Sequence, residues 1–168
     1  MEDRYLFKAK RIDNGEWEIG SLIALPTGEY EISNKCNNPP DCDPMWNKVV
    51  ITHKVEPSTI CQCTGLTDKN GQEIWENDVV DYFGRKGKVK YECGSFGIVF
   101  REIIDWEEIE ANICLITGCD NSLYVCENDN FISLWEIMWN FNDIENSIET
   151  IEVIGNIFDN PELLEGGE

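Results

Sequence analysis

Alternation of apolar and polar residues is the strongest pattern in the sequence, and it predicts a mainly β protein. The pattern is clearest at residues 58–82, where two alternating stretches flank a turn at residues 68–71 (Asp-Lys-Asn-Gly). A second alternating region covers residues 4–25, and its Asp-Asn-Gly at 13–15 is a strong tight-turn signal. We therefore expect an N-terminal β-hairpin and, further along the chain, a small β-barrel.

Shorter patterns predict the remaining elements. Further strands are expected at residues 30–32, 49–51, 88–91, 96–100 and 150–154, with a turn at 84–87. Three prolines among Asn and Asp make residues 33–47 a loop. The clearest helical pattern is at residues 130–141, where the apolar residues are Phe131, Leu134, Trp135, Met138 and Trp139. A short amphipathic helix at 101–113 and a last helical turn at 160–164 are also expected.

These elements predict the organisation of the chain. Residues 1–57 would form an N-terminal β region, and residues 58–168 a barrel region. Within the latter, residues 101–149 would be an acidic, partly helical insertion containing Trp and Cys, and residues 150–168 would close the domain. The expected fold class is mainly β (α+β).

The charge of the chain is strongly negative and unevenly distributed. There are 33 Asp and Glu against 13 Lys and Arg, a formal net charge of −20, and none of the Lys or Arg lies after residue 101. One interpretation is a solvated acidic surface that keeps the protein soluble. The other is a docking surface for a basic protein, or a mimic of the DNA phosphate backbone. The candidate partner-binding residues are Asp105, Glu107, Glu108 and Glu110.

The sequence contains no recognisable catalytic set, cofactor motif or metal site. His53 is the only histidine, and we interpret it as a surface or strand-edge residue. The eight cysteines lack the short paired spacing of a zinc site, and a reducing compartment argues against disulfides. We interpret them as small apolar residues. The prediction is a protein that is not an enzyme and that has no cofactor and no assigned metal site. A Mg²⁺ or Ca²⁺ site built from Asp and Glu stays an open alternative.

Two further features concern location and nucleic acid. The sequence has no secretion leader and no apolar stretch long enough to cross a membrane, so we expect a cytoplasmic protein without membrane contact. Arg85, Lys86, Lys88 and Lys90 form one basic hairpin beside aromatic residues. Against a net charge of −20, pairing with the acidic half explains them as well as phosphate contact does, so direct nucleic-acid binding is not expected.

Three separate blocks of the sequence resemble YopX-like proteins, which phages and prophages of Gram-positive bacteria encode. The blocks are residues 64–80 (TGLTDKNGQEIWENDVV), 5–20 (YLFKAKRIDNGEWEIG) and 153–164 (VIGNIFDNPELL). The resemblance implies an SH3-like barrel around the first block, with the N-terminal hairpin region against it. It implies no catalytic residues. The chain departs from the family pattern at residues 100–147, in a Cys-, Trp- and acid-rich segment that is longer than expected.

These observations together predict a phage- or prophage-encoded accessory protein in the cytoplasm of the host bacterium. It would act by contacting a host or phage protein through its acidic surface. One alternative is a DNA mimic that inhibits a host defence nuclease. Another is a small-ligand binder that holds a nucleotide in a barrel cleft.

Overall fold

The described part of the protein is mainly β, as predicted. The computed structural model describes residues 5–35, 50–92, 94–101, 105, 107, 130–134, 137 and 151–165. The helical elements with defined bounds are a 3₁₀ turn at Pro57–Thr59 and a short helix, α1, at Glu162–Glu165. The predicted final helical turn is therefore present.

Eleven strands of the described residues form two antiparallel sheets. Their bounds are β1 (Phe7–Lys10), β2 (Trp17–Ala24), β3 (Tyr30–Lys35), β4 (Val50–Val55), β5 (Cys61–Thr67), β6 (Glu73–Trp75), β7 (Asp78–Tyr82), β8 (Arg85–Glu92), β9 (Ser95–Phe100), β10 (Phe131–Ser133) and β11 (Ile151–Asn156). The strand orders are β4-β3-β2-β1-β5-β6 and β10-β9-β8-β7-β11. The described strands form no closed barrel, so the SH3-like barrel that the resemblance implies is not confirmed.

The chain divides into two compact units, Met1–Gly65 and Leu66–Glu168. The finer subdivision expected from the sequence, at residues 57/58, 101–149 and 150–168, stays a prediction.

The first unit begins with the predicted hairpin. Phe7 pairs with Gly20 and Lys10 with Trp17, and the turn contains Gly15 at φ 74°. Strand alternation directs every second side chain inwards, and this gives a small core. Its buried members are Ala9, Ile32 and Val55, with Phe7, Leu22, Tyr30 and Ile60 packed against them.

The second unit has the larger core, on one face of the sheet β10-β9-β8-β7-β11. Alternation places Val80 and Tyr82 of β7, Val89 of β8, and Ile98 and Phe100 of β9 on this face. Other elements complete the cluster with Ile74, Ile132, Leu134, Ile137 and Ile151. Apolar residues of the alternating stretch at residues 58–82 therefore share one core with Ile151 near the C-terminus.

The turn predicted at residues 84–87 is wrong. Strand β8 begins at Arg85, and the turn consists of Phe83 and Gly84, with φ angles of 53° and 79°. A two-residue hairpin of this type needs positive φ at both positions. Gly87, which suggested a turn, is instead a buried residue of β8. Glycine is needed there because a Cβ would lie only 2.3 Å from Ile98 Cγ2.

The helix predicted at residues 130–141 is wrong in its first part. Phe131 to Ser133 form β10, which pairs with β9 in the register Phe131 to Val99 and Ser133 to Gly97. Leu134 and Ile137 are helical and buried. Trp135, Met138 and Trp139 lie outside the described residues, as does most of the helix expected at 101–113.

Strand β11 is longer than expected. It was predicted to end at Ile154, but it continues to Asn156 because the register shifts between Val153 and Gly155. A bulge of this kind lets a strand bend and still keep its pairing. Gly155 is required at this point, since a Cβ would lie 2.6 Å from Asn160 Oδ1 and 2.7 Å from Leu163 Cδ1.

Candidate functional site

Residues 102–129, the first part of the segment predicted at 101–149 and called the acidic insertion from here on, leave and rejoin the second sheet at one place. Phe100 donates its backbone N–H to the carbonyl of Asn130 at 2.8 Å, and Asn130 Nδ2 donates to the carbonyl of Phe100 at 3.1 Å. Antiparallel pairing of β9 with β10 continues from this clamp. Residues 102–129 carry eight acidic residues and no Lys or Arg, so a block of uniform negative charge is attached here at both of its ends.

Two of the four predicted contact residues are described, and the structure brings these two together. Asp105 and Glu107 are both exposed, and the backbone N–H of Glu107 donates to Asp105 Oδ1 at 3.1 Å. Glu108 and Glu110 lie outside the described residues. The exposed pair fits a surface available to a partner, although it equally fits a solvated acidic surface.

The C-terminal helix is fastened beside the base of the insertion. Arg101, the last basic residue of the sequence, donates from Nη1 to the carbonyl of Leu164 at 3.0 Å. A guanidinium at the C-terminal end of a helix satisfies a carbonyl that has no partner within the helix. Glu162 and Glu165 of α1 are exposed. Arg101 therefore links helix α1 to the end of β9, where the acidic insertion begins.

The basic hairpin proves to be a row of lysines on β8 with acidic residues beside it. Lys86, Lys88 and Lys90 alternate with the buried Gly87 and Val89, so they lie on the face of the sheet opposite the core. Two of them have an acidic neighbour within the sheet. Asp81 is the cross-strand partner of Lys86, and Glu92 forms an ion pair with Lys90. Lys86 and Lys90 therefore have acidic neighbours within the chain, and the absence of direct nucleic-acid binding stays a prediction.

A polar cluster in the first unit was not predicted. The Glu18 carboxylate lies at its centre and accepts a hydrogen bond from Asn34 Nδ2. Its Oε2 is 3.2 Å from His53 Nδ1 and 3.7 Å from Arg11 Nη1. The side chains of Glu18, Arg11 and His53 are only 12%, 20% and 27% exposed.

Strand register explains why these residues meet. His53 pairs with Ile32, so it lies on the edge strand β4, as predicted, but on the core side of that strand. Glu18 pairs with Ala9 and faces the same side. Gly20 leaves room for the amide of Asn34, because a Cβ there would lie 2.5 Å from Asn34 Oδ1. The sequence signal that could have revealed this cluster is Glu18, an acidic residue at an inward position of an alternating strand.

Arg11 connects this cluster to the first turn of the chain. Arg11 also binds Asp13 through two hydrogen bonds, Nε to Oδ1 at 2.9 Å and Nη2 to Oδ2 at 2.6 Å. The hydrogen bond from Arg11 is the main cause that lowers the pKa of Asp13. Together these contacts join β2, β3, β4 and the first turn, which indicates a structural role.

Two buried carboxylates within the block at residues 64–80 bind backbone N–H groups. Asp68 is 5% exposed and accepts from Asn70 and Gln72 through Oδ1, at 2.8 and 2.9 Å, and from Val153 through Oδ2 at 3.0 Å. Burial opposes ionisation of Asp68, but the N–H groups outweigh it and lower its pKa. Asp78, 2% exposed, accepts from the N–H of Trp75 at 2.8 Å. These carboxylates fix turns and strand ends.

Cys61 and Cys63 are the described cysteines, and both are buried and outside any disulfide bond. This fits their interpretation as small apolar residues. The other six cysteines lie outside the described residues. Within the described part of the chain, no three His, Cys, Asp or Glu side chains are grouped to hold a metal ion.

The fold and these contacts define a mainly β protein of two antiparallel sheets that carries an acidic insertion clamped into one sheet. The sequence profile of the family described as YopX protein matches residues 7–165. The chain therefore belongs to the YopX family, and the resemblance drawn from its three sequence blocks is confirmed. No curated protein matches the chain. Among the described residues, no helix is long and apolar enough to cross a membrane.

Proposed function

We propose that this protein is a phage- or prophage-encoded accessory protein that binds a host or phage protein through its acidic insertion, and that it is not an enzyme. Membership of the YopX family supports the association with phages. Its place of action would be the cytoplasm of the bacterial host. An SH3-like barrel with a partly helical insertion remains the fold proposed for the region from residue 58 onwards.

The clamp between Phe100 and Asn130 is the observation that carries this proposal. A long charged segment with free ends would lose much of its conformational entropy when it bound a partner. Here the sheet already fixes both ends, and the segment between them has eight acidic residues and no basic one. Such a field attracts a basic protein surface and speeds the encounter, within a Debye length of about 8 Å at physiological salt.

The test compares two double charge reversals of equal size. Asp105→Lys with Glu107→Lys changes the described part of the insertion. Glu16→Lys with Glu73→Lys changes two exposed acids elsewhere and alters net charge by the same amount. Each variant is used to capture proteins from the bacterial host, and these are identified by mass spectrometry. We expect the first variant to lose a specific partner that the wild type and the second variant retain; equal binding by all three would reject the acidic surface.

A deletion provides the second arm of the test. Replacing residues 102–129 with Asn-Gly connects Phe100 to Asn130, which already pair, by the three-residue loop Arg101-Asn-Gly, whose Gly can take the left-handed conformation. We expect the deletion variant to fold and to lose the partner. Competition by duplex DNA for the purified partner would instead identify a DNA mimic. Retention of the partner by the folded deletion variant would place the contact elsewhere.

A further inference from the structure

Side-chain carboxylates close the edges of two terminal strands. In β11, the N–H of Val153 donates to Asp68 Oδ2 at 3.0 Å, and the carbonyl of Ile151 accepts from the N–H of Lys69 at 3.0 Å. In β6, the N–H of Trp75 donates to Asp78 Oδ2. An edge strand with unpaired backbone groups is a template for another strand, so these contacts protect both edges from pairing.

Strand β4 is also terminal among the described strands of its sheet. Contacts from the described residues cover one half of its outer edge. The carbonyl of Lys54 accepts from Ile12 N–H at 3.1 Å, and Glu56 N–H donates to the carbonyl of Lys10 at 2.8 Å. Backbone groups of alternate residues point to the same side of a strand. Those of Val50 and Thr52 therefore point away from β3, as that of Lys54 does. Among the described residues, nothing hydrogen-bonds to them on that side.

We propose that this open half-edge pairs with the same half-edge of a second copy of the chain. In an antiparallel two-fold arrangement, Val50 lies opposite Thr52 of the other copy and Ile51 lies opposite Ile51. The ladder ends before Lys54, because Ile12 already occupies its carbonyl. Each Val50–Thr52 pair exchanges two N–H to carbonyl bonds, and the two isoleucines meet between them.

Exposure and charge support a second copy as the occupant. Ile51 is 42% exposed, and contact with its own counterpart would bury it. The ladder places no two like charges opposite each other. The unit that carries β4, Met1–Gly65, holds 10 acidic and 7 basic residues, so it repels its copy far less than the acidic half would. A ladder this short falls below the roughly 1,200 Å² of stable interfaces, so the dimer is weak.

Sedimentation velocity of the full chain tests the pairing. The protein is measured from about 10 µM to about 1 mM, a range that covers weak association. Sodium chloride at about 0.5 M shortens the Debye length and screens the net charge. We expect the wild-type sedimentation coefficient to rise with concentration towards that of a dimer. A wild type that stays monomeric over the whole range would overturn the proposal.

Two matched pairs of variants locate the interface. Ile51→Lys places like charges opposite each other and should abolish the rise, whereas Ile19→Lys, at an isoleucine of similar exposure (46%) on β2, should not. Thr52→Pro removes the outward N–H and should abolish the rise, whereas Thr52→Val keeps the N–H and should retain it. Circular dichroism verifies that each variant is folded. Dimerisation of folded Ile51→Lys and Thr52→Pro variants would contradict the proposal.

Discussion

Among the described residues, Asp68 connects parts of the second unit that are far apart in sequence. Its carboxylate accepts two N–H groups of its own turn and one from Val153, 85 positions away. It thereby links the sequence block at residues 64–80 to the block at 153–164. The sequence block near Asp68 therefore has a structural role in the second unit.

Replacing Asp68 by Asn tests this role. The substitution keeps the shape but removes the charge and turns one acceptor into a donor that faces an N–H group. Hydrogen bonds to charged groups contribute about 1.5–3 kcal/mol each, so we expect the free energy of unfolding at pH 7 to fall by about 2 kcal/mol or more. Urea unfolding followed by circular dichroism measures the change.

The pH dependence of this difference has a definite sign. The pKa of Asp68 in the folded protein lies below its ordinary value of 3.8. Its stabilising contribution is therefore complete above that value and is lost as the pH falls through the folded pKa. The difference in free energy of unfolding between the wild type and Asp68→Asn should therefore decrease as the pH falls below 3.8. A gap that stayed constant would show that the charge of Asp68 does not matter.

Tyr82 offers a second prediction at this scale. Its ring is fully buried, its hydroxyl has no hydrogen-bond partner among the described residues, and burial raises its pKa. A buried polar group without a partner costs about 1–3 kcal/mol. We expect Tyr82→Phe to raise the free energy of unfolding by about 1 kcal/mol, measured by urea unfolding. Tyr30→Phe, in the first unit, is the control, and destabilisation by Tyr82→Phe would reveal a partner for the hydroxyl.

At the scale of elements, local signals predicted those strands whose pattern and turn chemistry agree. The hairpin β1–β2 has alternation and an Asp-Asn-Gly turn, and it forms as expected. The turn between β7 and β8 was misplaced because Phe83, a bulky residue, takes a positive φ that sequence preferences assign to Gly87. Its ring packs on the core and against Tyr82, and this tertiary contact overrides the local preference.

Strand β10 shows the limit of periodicity. The apolar residues from Phe131 onwards fit a helical stripe, but a short apolar run fits a strand equally well. Pairing with β9 decides the outcome, because Gly97 leaves space for the ring of Phe131: a Cβ there would lie 2.2 Å from Phe131 Cζ. Because Gly97 and Phe131 are more than 30 positions apart, no local sequence pattern could predict this packing.

Of the candidate sites, one could be predicted from the sequence and one could not. Composition alone revealed the acidic block and led to Asp105 and Glu107, which the structure finds exposed and adjacent. The cluster around Glu18 was missed because it depends on the registers of three strands. Asn34 and His53 are distant in sequence from Glu18, and each has an ordinary local context.

For the whole molecule, the uneven charge has an energetic consequence. The second unit, Leu66–Glu168, contains 23 acidic and 6 basic residues. Its described ion pairs, such as Lys69 with Glu152 at 2.6 Å, lie at exposed or half-buried positions that solvent reaches, where a pair contributes about 0–1 kcal/mol. Repulsion among the unpaired acids acts against the compact state. Net electrostatics should therefore destabilise the folded protein.

Salt provides the test of this balance. Raising sodium chloride from about 0.01 M to about 0.5 M shortens the Debye length from about 30 Å to below 8 Å, and so screens repulsion between distant acids more than contact pairs. We expect the free energy of unfolding and the melting temperature to increase with salt. The same titration on the variant lacking residues 102–129 should show a smaller increase, because eight acids are removed. A melting temperature that falls with salt would instead mean that ion pairs dominate the electrostatics of the fold.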